Sequence, residues 1–147
     1  MQLKFISVMV EDQEQALAFY TGVLGFEKMA DLPMGEYRWL TVTSPDGIAG
    51  VELVLEPMGF PPARIYQKAL LDAGIPATAL ITSDIATDVR RLKAHGVVFR
   101  GDPVAMGPIN AVTFEDTHQP RPTGSLSRLP TVSPARVPVR RPIRRCG

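Results

Sequence analysis

Phe5-Ile6-Ser7-Val8-Met9-Val10-Glu11-Asp12, then Ala16-Leu17-Ala18-Phe19-Tyr20 and Val23-Leu24-Gly25-Phe26, is the stretch that organises the rest of the chain. Leu3 to Val10 is an apolar run broken only by Lys4 and Ser7, the pattern of a buried strand. Asp12 followed by Gln15 three positions on resembles a capping box and predicts a helix start. Ala16, Phe19, Tyr20, Val23 and Leu24 then recur at helical spacing, which leaves one face to bury. Gly25 is the stop signal. Three strand candidates follow, Phe26–Leu32, Tyr37–Thr43 and Gly50–Glu56, separated by the turns Pro33-Met34-Gly35 and Ser44-Pro45-Asp46-Gly47. The unit is β-α-β-β-β.

Pro57 to Pro62 forms a linker, and Ala63–Ala73 predicts a helix closed by Gly74 and Pro76. The first pattern then returns. Ala77–Ser83 is a strand candidate, and Asp84 caps a helix carrying Ile85, Val89 and Leu92 on one face. Gly96 stops that helix and Val97–Arg100 begins a strand. Asp12 to Gly25 spans 13 positions and Asp84 to Gly96 spans 12, so an internal duplication at a period of about 72 residues is expected. Ile109–Glu115 supplies a further strand, but the last one should follow Asp116-Thr117. From His118 onward the chain instead has six Pro in 30 residues and no alternation. Pro lacks the ladder donor, so this segment is expected not to make a central strand. At most Leu129–Val132 or Arg136–Val139 would substitute as an edge strand, leaving an open sheet edge. The organisation expected is two modules, 1–56 and 77–117, joined through a linker helix at 63–73, with a tail at 118–147.

The chain has 147 residues and a net charge of +1, but the two segments differ sharply. Residues 1–117 carry all 15 acids and nine bases, about −6; residues 118–147 carry seven Arg and no acid, about +7. The length suits a single packed body. No run of about 18 apolar residues exists to span a membrane, and the N-terminal stretch lacks the features of a secretory signal. One cysteine, Cys146, rules out an internal disulfide and fits a reducing compartment, so cytoplasm is the expected location.

The opening motif resembles that of the vicinal oxygen chelate superfamily, which includes glyoxalase I, bleomycin-resistance proteins, fosfomycin-resistance enzymes and extradiol dioxygenases. Phe114-Glu115-Asp116-Thr117 resembles the approach to its last strand, and the resemblance covers residues 3–117. It implies an α+β fold in which two βαβββ modules form a curved, eight-stranded mixed sheet around a cleft, with helices on the outer face. It also implies a homodimer. Metal-dependent members place one ligand on each of four strands. Carried over by position, these fall on Phe5, Glu52 and Thr78, and the fourth falls on the last strand, whose expected pattern this sequence lacks. Only Glu52 has metal-binding chemistry, and a divalent site wants several converging N or O ligands. No resident metal or other cofactor is therefore expected.

Strand alternation sorts the remaining candidates. Glu52, Val54 and Glu56 share one face of their strand, and Phe5, Ser7 and Met9 share one face of theirs. Tyr37, Trp39 and Thr41 do likewise, with Arg38 pointing the other way. The residues expected to line a ligand site are Glu52, Trp39, Ser7, Phe5, Thr78 and Glu56, with Met34, Met58 and Met106 as an adaptable rim. Each also has a plainer role, Glu52 as a solvated strand carboxylate and Trp39 as core. His95 sits where a helix C-terminus favours a positive charge and needs no catalytic role. Neither a phosphate-binding glycine loop nor a nucleophile elbow is present.

A small-molecule-binding protein of the bleomycin-resistance type, leaning non-catalytic, is the leading expectation. A metal-dependent lyase or isomerase like glyoxalase I, or a dioxygenase, is the alternative. The basic tail permits three readings: a frameshift product of a GC-rich gene, an arm folded on the acidic body or an acidic partner, or a nucleic-acid-binding segment.

Overall fold

A computed structural model describes residues 1–116 in full and the backbone of residues 128–134. The elements run β1 (Phe5–Val10), α1 (Gln13–Gly22), β2 (Glu27–Met34), β3 (Tyr37–Thr43), β4 (Glu52–Pro57), α2 (Pro61–Ala73), β5 (Leu80–Ile81), α3 (Ile85–Ala94), β6 (Val104–Met106), β7 (Ile109–Glu115) and β8 (Arg128–Pro134). The described strands form two four-stranded sheets rather than one of eight, with orders β1-β4-β3-β2 and β5-β8-β7-β6. The two orders are the same pattern repeated. In each, the first strand runs parallel to the fourth and the other pairs are antiparallel.

The helix starts follow the sequence signals. Asp12 accepts a hydrogen bond from the Gln15 amide at 2.9 Å, and Asp84 accepts one from the Thr87 amide at 3.0 Å. That bond, with a second from the Thr87 hydroxyl, holds the Asp84 carboxyl below its ordinary pKa. Gly25 and Gly96 turn the chain at φ 80° and 81°, a region that strains any other L-residue. Ala16, Phe19 and Tyr20 of α1 then meet Val8, Val10, Leu40, Val42 and Leu55 from the first sheet. Leu92, Val97 and Phe114 from the second half join the same cluster. The two halves are therefore packed together on their helix-bearing sides.

Among the described residues, a polar bond crosses this core. Tyr20 Oη donates to Asp116 Oδ2 at 3.3 Å, and both residues are buried. Burial first, and the Asp116 charge second, push the Tyr20 phenol well above its ordinary pKa. A second tie is made at the surface, where Arg91 Nη1 donates to the Val23 carbonyl at 2.7 Å.

Three expectations need correction. First, the proline-bearing tail does supply a central strand: β8 lies between β5 and β7. Its ladder with β7 is seven pairs long, whereas β5 aligns only with Thr131 and Val132, between Pro130 and Pro134. The prolines therefore never meet a second neighbour, and β7 has no open edge there. The other proposed substitute, Arg136–Val139, and the rest of the tail lie outside the described residues. Second, Val97–Arg100 is no full strand; it makes one bridge, Phe99 to Phe114, before Gly101 at φ 97° and Pro103 break it. Pairing resumes in β6, which sequence patterning did not mark. Third, Ala77–Ser83 contracts to the two residues of β5.

The first sheet is not uniformly zipped. β3 and β4 align only at Thr41–Val54 and Val42–Leu53. Beyond these pairs Gln13, at the start of α1, fills the gap: its amide nitrogen donates to the carbonyls of Arg38 and Leu55 at 2.8 and 2.9 Å, and its oxygen accepts from the Arg38 amide at 3.0 Å. A side-chain amide thus does the hydrogen bonding of a missing strand segment. It also ties the start of α1 to β3, the strand that carries Tyr37 and Trp39.

Candidate functional site

Alternation leaves one face of the first sheet to the helices and opens the other. On β1, Val8 and Val10 are buried in the core, so Phe5, Ser7 and Met9 face the open side. On β4, Leu53 and Leu55 pack inward, and Glu52, Val54 and Glu56 take the other face, where Val54 is itself buried. On β3, Leu40 and Val42 are core, which turns Tyr37, Trp39 and Thr41 to the open side. Register brings these sets together. Phe5 aligns with Glu52, Ser7 with Val54, Met9 with Glu56, and Val54 also with Thr41.

The centre of this face is a carboxylate beside two aromatic rings. Phe5 and Trp39 belong to strands on either side of β4, about 10 Å apart by strand spacing. Their rings close over it edge to face, with centroids 5.4 Å apart. Glu52 is reached from the side by Thr41, whose hydroxyl donates to Oε2 at 2.6 Å. The direction of that bond is fixed by a third group. A register shift between Lys28 and Ala30 turns the Ala30 amide toward Thr41, and it donates to Oγ1 at 3.1 Å. Thr41 is fully buried, so its own proton is left to go to Glu52. The other carboxylate oxygen, Oε1, has the Lys4 ammonium at 3.6 Å.

On the β2 flank of this centre the face is apolar and exposed. Leu32, which aligns with Trp39, is 57% exposed, and Met34, which aligns with Tyr37, is 62% exposed. Contiguous exposed apolar surface beside an ordered polar group is the usual composition of a ligand face.

Of the six residues picked from sequence, Phe5, Trp39 and Glu52 are in one cluster and Ser7 lies next to it. Glu56 is on the same face but about 13 Å further along β4. Thr78 precedes β5, half-buried and outside any strand or helix, and belongs to the other half of the molecule. Two residues of the cluster were not among the picks. Thr41 had the right face, but its bond to Glu52 depends on the β2 irregularity and has no sequence signal. Lys4 stands before the strand begins, where alternation does not govern direction.

A polar recess of about 270 Å³ lies elsewhere, at the rim between the start of α1, the β2–β3 turn and α2. Its cations are already engaged. Arg38 pairs with Glu14 at 2.6 Å and Asp31 at 2.9 Å, and Arg64 with Glu11 at 3.0 Å. Arg38 thus faces away from Trp39, as alternation predicted, and its partners raise its pKa, the Glu14 hydrogen bond most. Met58 lines this recess rather than the open face of Glu52. His95 ends α3 with Nδ1 2.9 Å from the Arg91 carbonyl, a structural position.

The donor chemistry at the metal-ligand positions can be tested directly. A phenyl ring stands at 5, a hydroxyl at 78, and Glu52 alone brings a carboxylate, one of its oxygens already bonded to Thr41. Among the described residues no three His, Cys, Asp or Glu side chains converge as a cation site. These residues do not fit a divalent metal.

The Glyoxalase/Bleomycin resistance protein/Dioxygenase superfamily model matches residues 2–119, and the chain belongs to that superfamily. It is similar to the uncharacterized protein YurT of Bacillus subtilis strain 168, 45% identical over 117 residues, covering 80% of this chain and 92% of that one. Among solved structures it resembles UcmS2, at 28% identity and a TM-score of 0.71, covering 90% and 97% of the two chains. It likewise resembles TnmS3, an antibiotic binding protein from Streptomyces sp. CB03234, at 28% identity and a TM-score of 0.67, covering 91% and 96%. Among the described residues no helix is long and apolar enough to cross a membrane.

Proposed function

We propose that the open face of β1, β4 and β3 binds a small aromatic molecule carrying a positive charge, and does so without a resident metal. The observation that carries this reading is the cluster itself: a carboxylate fixed by the Thr41 relay, next to the Phe5–Trp39 pair, on accessible apolar surface. Rings offer stacking area at small entropic cost, and Glu52 offers the charge complement. The likeness to an antibiotic binding protein supports a small-molecule ligand. Among the described residues, Glu52 is the cluster's carboxylate and both its oxygens are engaged, by Thr41 and Lys4, which supports a binding role. We further propose that two copies associate to cover the exposed faces.

Trp39 is the sole tryptophan, so its fluorescence reports on this face alone. Titration with a panel of planar aromatic cations and natural-product antibiotics is expected to give saturable quenching, and E52A is expected to weaken it at least tenfold. A panel without any saturable binder counts against the reading. Elemental analysis of the purified protein is expected to find no stoichiometric Ni, Zn, Fe or Mn; a bound equivalent would point instead to a glyoxalase I-like enzyme. Sedimentation velocity checks the dimer.

A further inference from the structure

Lys4 stands just ahead of β1, and its side chain is 58% exposed while that of Glu52 is only 13% exposed. Its ammonium lies 3.6 Å from Glu52 Oε1 and 5.3 Å from the centroid of the Phe5 ring. A carboxylate oxygen on one side and a ring face on the other are the two contacts a ligand's cationic group would seek on this surface. Glu52 Oε2 is taken by the Thr41 hydroxyl, whose direction is set by the Ala30 amide. Oε1 is therefore the oxygen on which an incoming cation must land, and Lys4 already uses it. Two positive charges cannot share that position without strong repulsion.

We propose that Lys4 is a tethered competitor: its ammonium occupies the cation subsite of the empty face and must swing out before an aromatic cation binds. The inference rests on the reading of this face as a ligand site, and adds the residue that gates it. The contact suits a displaceable plug. At 3.6 Å it is longer than a good charged hydrogen bond, and holding a lysine in one rotamer costs side-chain entropy. A plug occupying most of the sites raises the apparent dissociation constant by the inverse of the open fraction. For an exposed ion pair that factor is at most about fivefold. A neutral aromatic ligand, which has no use for Oε1, escapes most of this penalty. Lys4 thus sets how much charge a ligand must bring before its cation improves binding.

The test compares wild type, K4M, E52Q and the double variant, using quenching of Trp39 by N-methylacridinium and by acridine at pH 8.5, where acridine is uncharged. Methionine keeps the unbranched stem and removes the ammonium. K4M is expected to tighten N-methylacridinium about three- to fivefold and to change acridine less than twofold. In the E52Q background K4M is expected to have no effect on either probe. A ligand-free readout accompanies this: the Lys4 ε-methylene protons should be shifted upfield by the Phe5 ring in wild type and return to their random-coil position in F5L. Unchanged or weakened N-methylacridinium binding in K4M overturns the plug, as does a random-coil ε-methylene shift in wild type. If both probes bind and K4M alters neither, the ligand face stands and the plug falls. If the upfield shift is seen but neither probe quenches Trp39 in any variant, the ligand-face reading fails and the competition inference falls with it.

Discussion

At the scale of single residues, Thr41 decides what Glu52 can do. A carboxylate on a sheet face would ordinarily rotate among solvent-exposed rotamers, but here one oxygen is held by a hydroxyl that is itself held by a backbone amide. Removing the hydroxyl leaves a buried amide and a carboxylate oxygen without this partner, and such orphaned groups cost about 1–3 kcal/mol. T41V, which keeps the shape, is expected to lose that much in urea unfolding, and T41S, which keeps the hydroxyl, less than half of it. Equal losses in the two variants would mean that Thr41 contributes packing and that the relay does not hold Glu52. The same scale marks a limit of sequence reasoning. Alternation was enough to put Phe5, Trp39 and Glu52 on one face, because it needs only which residues are apolar. It was silent on the Thr41–Glu52 bond, which needs the register between β3 and β4 and the irregularity at Met29.

At the scale of elements, legibility followed how many signals coincided. β1, α1 and β2 were readable because an apolar run, a capping aspartate, helical spacing and a positive-φ glycine all agreed over 30 residues. β6 is three residues after a glycine and a proline, too short to show alternation. β8 departs from the sequence expectation for a physical reason. Proline's missing donor excludes a central position only where a neighbour needs it. Pro130 and Pro134 lie beyond the two residues that β5 reaches. Val132 is different: it aligns with Ile81 on one side and Ala111 on the other, so its amide faces a partner strand either way. V132P removes a ladder donor and is therefore expected to cost about 1–3 kcal/mol in urea unfolding, and to speed hydrogen exchange of the β7 amides. Replacing Pro130 by Val is expected to leave both nearly unchanged. A tolerated V132P would show that β8 does not pair on both sides.

At the scale of the whole molecule, two similar halves are held against each other through a largely apolar cluster, and apolar contacts alone do not fix an angle between packed layers. Tyr20 and Asp116 provide a directional contact between α1 of the first half and the end of β7 in the second. Its pH dependence has a definite sign. Burial and the neighbouring carboxylate raise the Tyr20 pKa in the folded protein, while in the unfolded chain the phenol titrates near its ordinary value of about 10. Below that value both states hold the proton and the contact contributes in full. Above it the unfolded chain releases a proton that the folded chain retains, so stability falls by about 1.4 kcal/mol per pH unit until the folded pKa is passed. Other tyrosines and lysines also titrate in this range, so the informative quantity is a difference. Y20F is expected to be less stable than wild type by about 1 kcal/mol at pH 8, where only the hydrogen bond is lost. The gap should narrow and then reverse as pH rises from 10 to 11, because phenylalanine has no proton to lose. Guanidinium unfolding of both proteins across pH 8–11 measures this directly, and parallel curves would show that the buried phenol is not what ties folding of the two halves to pH.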